Sequence, residues 1–141
     1  MIWLCAWAGL SRQQGKVSQL GDGFINIDIQ ATKGINGSVT DLDKFIKPNS
    51  IEEIICNSPQ VEFLEQASIV MKKDARIYIN GTLKNKYFKN VLKGKVEQYG
   101  FKVLEEQTIL NPRFKNLKFY LSDSMTEMDK ELIKTTILIK E

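Results

Sequence analysis

Apolar runs and polar stretches alternate along this chain, and their lengths separate predicted strands from predicted helices. Short continuous apolar runs bounded by Gly, Asn or Pro are typical of strands buried in a sheet. Apolar residues at every third or fourth position are typical of a helix with one buried face. We predict strands at residues 2–8, 24–29, 38–42, 51–56, 75–80, 101–110 and 135–140, and helices at 63–71 and 83–98. Strands that alternate with helices indicate an α/β fold with a mostly parallel sheet.

The clearest predicted helix lies between the fourth and fifth predicted strands. Leu64, Ala67 and Met71 recur there at helical spacing, and lysines follow them, in agreement with the helix dipole. After the second predicted helix, Gly100 suits a helix end that requires a positive φ. No repeat, low-complexity tract or linker interrupts the sequence, so we expect one domain over residues 1–141.

Three segments in the first half of the chain carry most of the chemical information. Asp28 lies near the end of the strand predicted at 24–29, and a polar segment at residues 37–42 contains Asp41. Residues 51–59 form a further predicted strand that runs into Asn-Ser-Pro. Open α/β sheets place an acidic partner for a ribose hydroxyl at the carboxyl end of such a strand. Asp28 is therefore a candidate partner for a ribose.

The order and spacing of these segments resemble the middle of a class I S-adenosylmethionine-dependent methyltransferase, over about residues 24–141. The resemblance continues through the helix at 63–71 and into Arg76-Ile-Tyr-Ile, where family members have a reverse turn and then a strand. It implies a Rossmann-like, methyltransferase-like fold with helices on both faces of a mostly parallel sheet and an antiparallel C-terminal strand. It also implies S-adenosylmethionine as the cofactor.

The same resemblance assigns roles to individual residues. Asp28 would accept hydrogen bonds from the ribose hydroxyls, Asp41 would accept one from the exocyclic amine of adenine, and Leu42 would lie against the adenine ring. The complete set that the resemblance implies for cofactor binding is Asp28, Ile29, Asp41, Leu42 and Gly9. The set implied to line the edge where the methyl group is delivered, and therefore to be catalytic, is Asn57, Ser58 and Pro59.

The chain departs from the family pattern in its first strand. Family members have an acid and a glycine-rich turn there, whereas this strand ends at Gly9 without an acid or paired glycines. Residues 10–23 are short for the helix that should follow. We therefore expect either an N-terminally shortened relative or a chain whose cofactor binding has been lost or rebuilt. The segment from Asn57 to Gln60 also lacks the aromatic residue of the family's Asn-Pro-Pro-Tyr motif, which weakens the case for methylation of a base or an amide.

Each of these residues also has a purely structural interpretation. Asp28 can end its strand and cap the turn that follows, and Asp41 can form a turn or cap a short helix. Ser58 and Pro59 are a typical cap and first residue of a helix. For Ser58 and Pro59 the structural role is the favoured one, although a helix cap can also line a site.

The composition narrows the chemistry. The chain contains no histidine, which excludes imidazole-based catalytic triads and the usual zinc sites, and we expect no metal. Its two cysteines, Cys5 and Cys56, lie in apolar runs and are typical of buried thiols in a reducing compartment. We therefore expect a cytoplasmic site of action, with secretion as part of a larger polypeptide as an alternative. No apolar run approaches the roughly 20 residues that span a bilayer, so we expect no membrane contact.

A group of basic and aromatic residues follows the strand predicted at 75–80. Lys84, Lys86 and Tyr87 would lie at the edge where open sheets bind ligands, and aromatic rings can stack on bases. The net charge of +3 is only mildly basic and is not by itself a sign of nucleic-acid binding. One interpretation of this group is contact with RNA or a partner protein. The favoured interpretation is that the lysines are solvated and cover half-buried aromatic rings.

Three accounts of the function stay open at this point. The first is a divergent methyltransferase-like domain that transfers a methyl group by direct displacement. The second is a non-methylating effector or binding module that acts through RNA or protein contacts, similar to the methyltransferase-like domains at the ends of secreted bacterial toxin polypeptides. The third is a chain that needs a protein partner or forms a homodimer through apolar surface around Trp3 and Trp7.

Overall fold

A seven-stranded mixed sheet is the framework of the molecule. The computed structural model describes residues 2–7, 24–28, 35–36, 41–57, 59, 62–82, 84–85, 94–116, 119 and 129–141, the first three ranges by their backbone. Its strands are β1 (Ile2–Trp7), β2 (Phe24–Asp28), β3 (Ile35–Asn36), β4 (Ile51–Asn57), β5 (Met71–Thr82), β6 (Phe101–Glu106) and β7 (Ile133–Lys140). Its helices are α1 (Leu42–Phe45) and α2 (Leu64–Val70), with 3-10 helices at Glu97–Tyr99, Pro112–Phe114 and Lys130–Leu132.

The strands lie in the order β3-β2-β1-β4-β5-β7-β6. The pairs β3–β2, β2–β1, β1–β4 and β4–β5 are parallel, whereas β7 is antiparallel to both β5 and β6. This arrangement confirms the predicted mostly parallel α/β sheet with an antiparallel C-terminal strand. The first strand lies near the middle of the sheet, where it pairs with β2 on one side and β4 on the other.

Alternate residues of the central strands pack against different elements. On one face, Ile54, Cys56, Ile77 and Ile79 join the buried residues of α1 and α2 in one core cluster. The intervening residues belong to the other face, where the ring of Tyr78 meets the ring of Phe114 edge-on with centroids 5.8 Å apart. Both faces of the sheet are therefore covered at β4 and β5. Within the described part of the chain, no helix has the length and apolar character needed to cross a membrane.

The prediction of a strand at residues 38–42 is wrong for Asp41 and Leu42, the two of these residues that the structure describes. Asp41 precedes α1, and Leu42 begins the helix, with the amide of Ile46 donating to the carbonyl of Leu42 at 2.9 Å. Leu42 and Ile46 are both buried and lie four residues apart, which places them on one face of a helix. The sequence interpretation overlooked this pair because the helix is only one turn long.

The prediction of a helix at residues 83–98 is also wrong for the described residues of this segment, 84–85 and 94–98. Lys84 and Asn85 form a turn after β5, and the only helical residues in the described part of this segment are the single 3-10 turn at Glu97–Tyr99. Gly94 has a φ of 74°, which ends regular helical geometry at that point. The predicted positive φ at Gly100 is confirmed at 84°.

The strand β5 begins at Met71, directly after α2, rather than at the predicted residue 75. Its pairing with β4 is irregular between Met71 and Arg76, and Asp74 in this interval has a φ of 66°. Non-glycine residues rarely adopt this conformation, although aspartate tolerates it better than most. The reverse turn that the family resemblance implies before Arg76 is thus an irregularity inside a long strand. In the C-terminal part, β6 stops at Glu106, and β7 begins two residues before the predicted position 135.

Candidate functional site

The candidate site lies at the carboxyl edge of the parallel strands. The chain passes from β1 to its neighbour β2 on one side, and later returns to place β4 on the other side of β1. The strand order therefore reverses between β1 and β4. In open α/β sheets, such a reversal leaves a crevice outside the carboxyl ends of the strands, and ligands bind in this crevice.

Residues at or near the carboxyl ends of these strands form a row across the sheet. Trp7 pairs with Asn57, and Asn57 pairs with Asn80. On the other side of β1, Ala6 pairs with Ile27, so that Asp28 follows in the same row as Trp7. The predicted position of the acid at the end of β2 is therefore confirmed, one strand away from the reversal. Its role as a partner for ribose stays a prediction.

A chain of buried polar side chains crosses three strands of this row. The side-chain amide of Asn80 donates to Oδ1 of Asn57 at 2.9 Å, and the hydroxyl of Thr135 donates to Oδ1 of Asn80 at 2.6 Å. The backbone N–H of Asn111 donates to the hydroxyl of Thr135 at 2.9 Å. Asn57, Asn80 and Thr135 are each at most 1% exposed. We call these three side chains and the Asn111 amide the polar chain.

The polar chain gives Asn57 a structural role in addition to the predicted catalytic one. Asn57 is held from the side by Asn80, and Pro59 is buried two residues further on. Pro59 precedes the helix and does not occupy its first position, since α2 begins at Leu64. The carboxylate of Glu62 accepts from the amide of Leu64 at 2.6 Å, so Glu62 satisfies a donor at the start of α2. The predicted catalytic role of Asn57, Ser58 and Pro59 stays a prediction.

Sequence reasoning missed Asn80 and Thr135 as residues of this edge. Asn80 is the last residue of the strand predicted at 75–80, much as Asn57 directly follows the strand predicted at 51–56, whereas Thr135 is the first residue of the strand predicted at 135–140. A polar residue at such a position is buried at a cost unless it has a hydrogen-bond partner. Pairing the polar ends of adjacent strands would have brought Asn57 and Asn80 together. The contribution of Thr135 depends on the antiparallel register of β7, which the sequence pattern does not specify.

Asp41 and Leu42 lie in the segment that leads to the amino end of β4. Leu42 is completely buried in the core cluster with α2. The carboxylate of Asp41 lies 3.0 Å from the ammonium group of Lys44 and makes no capping hydrogen bond to the start of α1. The hydrogen bond between Lys44 and this carboxylate, together with the negative charge of the carboxylate, raises the pKa of Lys44. Contact of Asp41 and Leu42 with adenine stays a prediction.

Of the three residues predicted to contact RNA or a partner, Lys84 is described. It is exposed and lies just after β5, in a turn closed by the amide of Asn85 and the carbonyl of Thr82 at 3.0 Å. Its predicted location beyond the carboxyl end of a strand is therefore confirmed. Five further predicted site residues lie outside the described residues, and their assignments stay predictions: Gly9, Ile29, Ser58, Lys86 and Tyr87.

The face of the sheet that carries Tyr78 holds a charged cluster beneath this edge. The guanidinium group of Arg113 makes an ion pair with Glu53 and lies 5.1 Å from the ring centre of Tyr78. On the opposite face, burial raises the pKa of the Cys56 thiol, so this thiol stays protonated and unreactive. Among the described residues, no group of three His, Cys, Asp or Glu side chains is arranged to hold a metal ion.

Similar solved structures share this architecture. No protein-family model matches the sequence, and no curated protein matches it. A 16S rRNA (adenine(1408)-N(1))-methyltransferase from Catenulisporales acidiphilia, solved with S-adenosylmethionine, superimposes with a TM-score of 0.59 at 10% identity over 99% of this chain and 85% of that one. A TehB-like S-adenosylmethionine-dependent methyltransferase from Corynebacterium glutamicum gives 0.60 at 13% identity over 99% and 79%. The chain has the class I methyltransferase-like fold.

The methyltransferase-like fold also occurs in a complex from Haloferax volcanii. There, a methyltransferase bound to the Trm112 methyltransferase activator matches this chain with a TM-score of 0.57 at 9% identity, over 99% of this chain and 82% of that one. Structural superposition at identities this low shows a shared fold and does not show a shared activity. The row from Asp28 to Asn80 lies at the carboxyl edge of this fold, which is the edge where open α/β sheets bind ligands.

Proposed function

We propose that this chain binds S-adenosylmethionine at the carboxyl edge of its sheet and transfers the methyl group to an acceptor. The observation that carries the proposal is the position of Asp28, which ends β2 one strand away from the reversal between β1 and β4. A carboxylate at this place accepts hydrogen bonds from the hydroxyls of a ribose. The fold that this chain shares with S-adenosylmethionine-dependent methyltransferases supports the same ligand.

The residues of this edge suit a reaction that depends on positioning. S-Adenosylmethionine supplies a sulfonium-bound methyl group. An acceptor lone pair attacks the methyl carbon, the bond from that carbon to sulfur breaks, and S-adenosylhomocysteine leaves. The protein has to hold the cofactor and the acceptor in line, and such positioning can lower the barrier substantially without a catalytic base. The absence of histidine from the chain is compatible with this chemistry. Asp28 would hold the ribose, and the end of β4 at Asn57 would face the methyl group.

Titration calorimetry with S-adenosylmethionine and S-adenosylhomocysteine tests the proposal. We expect micromolar binding that is weakened about 10-fold or more by Asp28→Asn, because a charge-assisted hydrogen bond contributes about 1.5–3 kcal/mol. The matched control is Asp43→Asn, an exposed carboxylate on α1, which should leave the affinity unchanged. Absence of binding at millimolar ligand, or equal effects of the two substitutions, would refute the proposal.

A second candidate function is RNA binding, with or without methyl transfer. The observation that favours it is the exposed ammonium group of Lys84 beyond the carboxyl end of β5. Lys73 lies exposed near the amino end of the same strand and provides a matched control. If this edge binds RNA, Lys84→Gln lowers the affinity for a structured RNA and reduces its salt dependence, while Lys73→Gln does neither. Equal effects of both would indicate unspecific attraction to a basic protein.

The expected protein partner is a separate proposal. One structural neighbour was solved in complex with an activator protein, and the predicted contact around Trp3 and Trp7 would suit either such a partner or a second copy of the chain. Sedimentation velocity over a range of concentrations distinguishes the two cases. A concentration-dependent increase in mass supports a homodimer, and a monomer at high concentration contradicts it.

A further inference from the structure

The hydrogen bonds of the polar chain are all donated in one direction, from Asn111 toward Asn57. The backbone N–H of Asn111 can only donate, so the hydroxyl of Thr135 accepts from it and has one proton left to donate. In the structure that proton goes to Oδ1 of Asn80, and the NH2 group of Asn80 faces Asn57. Asn57 must in turn present its oxygen to Asn80. Three consecutive hydrogen bonds thus connect the backbone N–H of Asn111 to the side-chain oxygen of Asn57.

Burial makes this orientation difficult to reverse. Asn57, Asn80 and Thr135 are register partners on β4, β5 and β7, and they are 1%, 0% and 0% exposed. If the amide of Asn57 rotated by half a turn, its NH2 group would face the NH2 group of Asn80. Two donors would then meet in a buried place, and each unsatisfied buried group costs about 1–3 kcal/mol. The alternative orientation of Asn57 is therefore disfavoured for as long as Thr135 and Asn80 hold theirs.

We propose that Asn80 and Thr135 are positioning residues that hold the side-chain amide of Asn57 with its oxygen toward β5. This inference deepens the proposed function and rests on it, because the orientation of Asn57 matters for chemistry only if a methyl acceptor reaches the end of β4. It has a consequence for the acceptor. An amino group that donates a hydrogen bond to Asn57 has to share an oxygen that already accepts from Asn80.

The direction of the chain can be measured in the unaltered protein. A long-range HNCO spectrum of labelled protein detects scalar coupling across a hydrogen bond. We expect coupling from Nδ2 of Asn80 to Cγ of Asn57. Coupling in the opposite direction, from Nδ2 of Asn57 to Cγ of Asn80, would overturn the proposal. This experiment requires no cofactor, so its result is independent of whether the proposed function is correct.

Three substitutions on β7 then test whether the orientation is set by Thr135. Thr135→Val removes the hydroxyl, Thr135→Ser keeps it, and Thr136→Val alters the adjacent buried threonine. We expect Thr135→Val to shift or broaden the side-chain amide resonances of Asn57, and to weaken binding of S-adenosylhomocysteine on the order of fivefold. The other two variants should preserve both readouts.

The possible results separate the positioning role from a purely structural one. If Thr135→Val lowers the stability but leaves the Asn57 resonances and the affinity unchanged, Thr135 is only a structural residue and the proposal is wrong. If the unaltered protein binds no cofactor, the proposed function fails, and the resonances of Asn57 alone decide whether Asn80 and Thr135 orient it. If Thr135→Val does not fold, the coupling measured in the unaltered protein decides.

Discussion

Two adjacent threonines on β7 should respond differently to the same substitution. Thr135 and Thr136 are both buried, at 0% and 1% exposure. The hydroxyl of Thr135 makes two hydrogen bonds, to Asn80 at 2.6 Å and from the amide of Asn111 at 2.9 Å. The hydroxyl of Thr136 has no hydrogen-bond partner among the residues that the structure describes. Replacement by valine keeps the shape of either side chain and removes only the hydroxyl.

The contacts give a magnitude for each replacement. Thr135→Val leaves the oxygen of Asn80 without its donor in a fully buried place, which costs about 1–3 kcal/mol. The amide of Asn111 is only partly buried, so water can replace the lost bond there at a smaller cost. Thr136→Val removes a buried hydroxyl that lacks a partner, so the free energy of unfolding should stay within about 0.5 kcal/mol or increase. We therefore expect a difference of about 2 kcal/mol between the two variants.

Equilibrium unfolding in urea, followed by circular dichroism, measures this difference. The slope of the free energy against urea should be the same for both variants, so that a change in midpoint reports a change in stability. In thermal unfolding the same difference corresponds to roughly 8 °C. Equal destabilisation by the two substitutions, or a larger loss for Thr136→Val, would refute the account of the polar chain.

Three further predictions concern backbone conformation and a buried thiol. Gly100→Ala should lower the free energy of unfolding by about 1 kcal/mol, because its φ is 84° while nothing lies within 4 Å of the added methyl group; urea unfolding measures it. Asp74→Val should cost about 1–2 kcal/mol at a φ of 66°, whereas Asp74→Gly should be nearly neutral, and an equal loss for both would contradict this. Burial raises the pKa of Cys56, so the folded state keeps a proton that the unfolded chain loses above about pH 8.5. Stability should therefore fall on the order of 1–2 kcal/mol more between pH 7 and pH 10 than it does in Cys56→Ala, as measured by unfolding at each pH, and identical pH profiles would contradict a buried thiol.

The strongly apolar strands could be predicted from sequence because their pattern depends on local residues. The strand β4 was predicted at 51–56 and extends to Asn57, and β2 was predicted at 24–29 and ends at Asp28. The mostly parallel pairing of the strands followed from their alternation with helices. These features require only short-range hydrophobic patterning together with general rules for chain connection.

The short and irregular elements could not be predicted, for different physical reasons. The helix α1 is a single turn whose signal consists of one buried pair, Leu42 and Ile46. The segment before Phe101 has apolar residues at helical spacing, yet Gly94 takes a positive φ there, and spacing alone gives no warning of it. The polar chain depends on which strands become neighbours. Tertiary context determines all three features.

Chemical-shift mapping tests directly whether a cofactor binds at the carboxyl edge of the sheet. Backbone 1H–15N spectra would be recorded while S-adenosylhomocysteine is added to the labelled protein. We expect the largest shifts at Trp7, Asp28 and Asn57, where β1, β2 and β4 end. Shifts concentrated at Ile2 and Ile51, at the amino ends of β1 and β4, would contradict it, as would an unchanged spectrum at millimolar ligand.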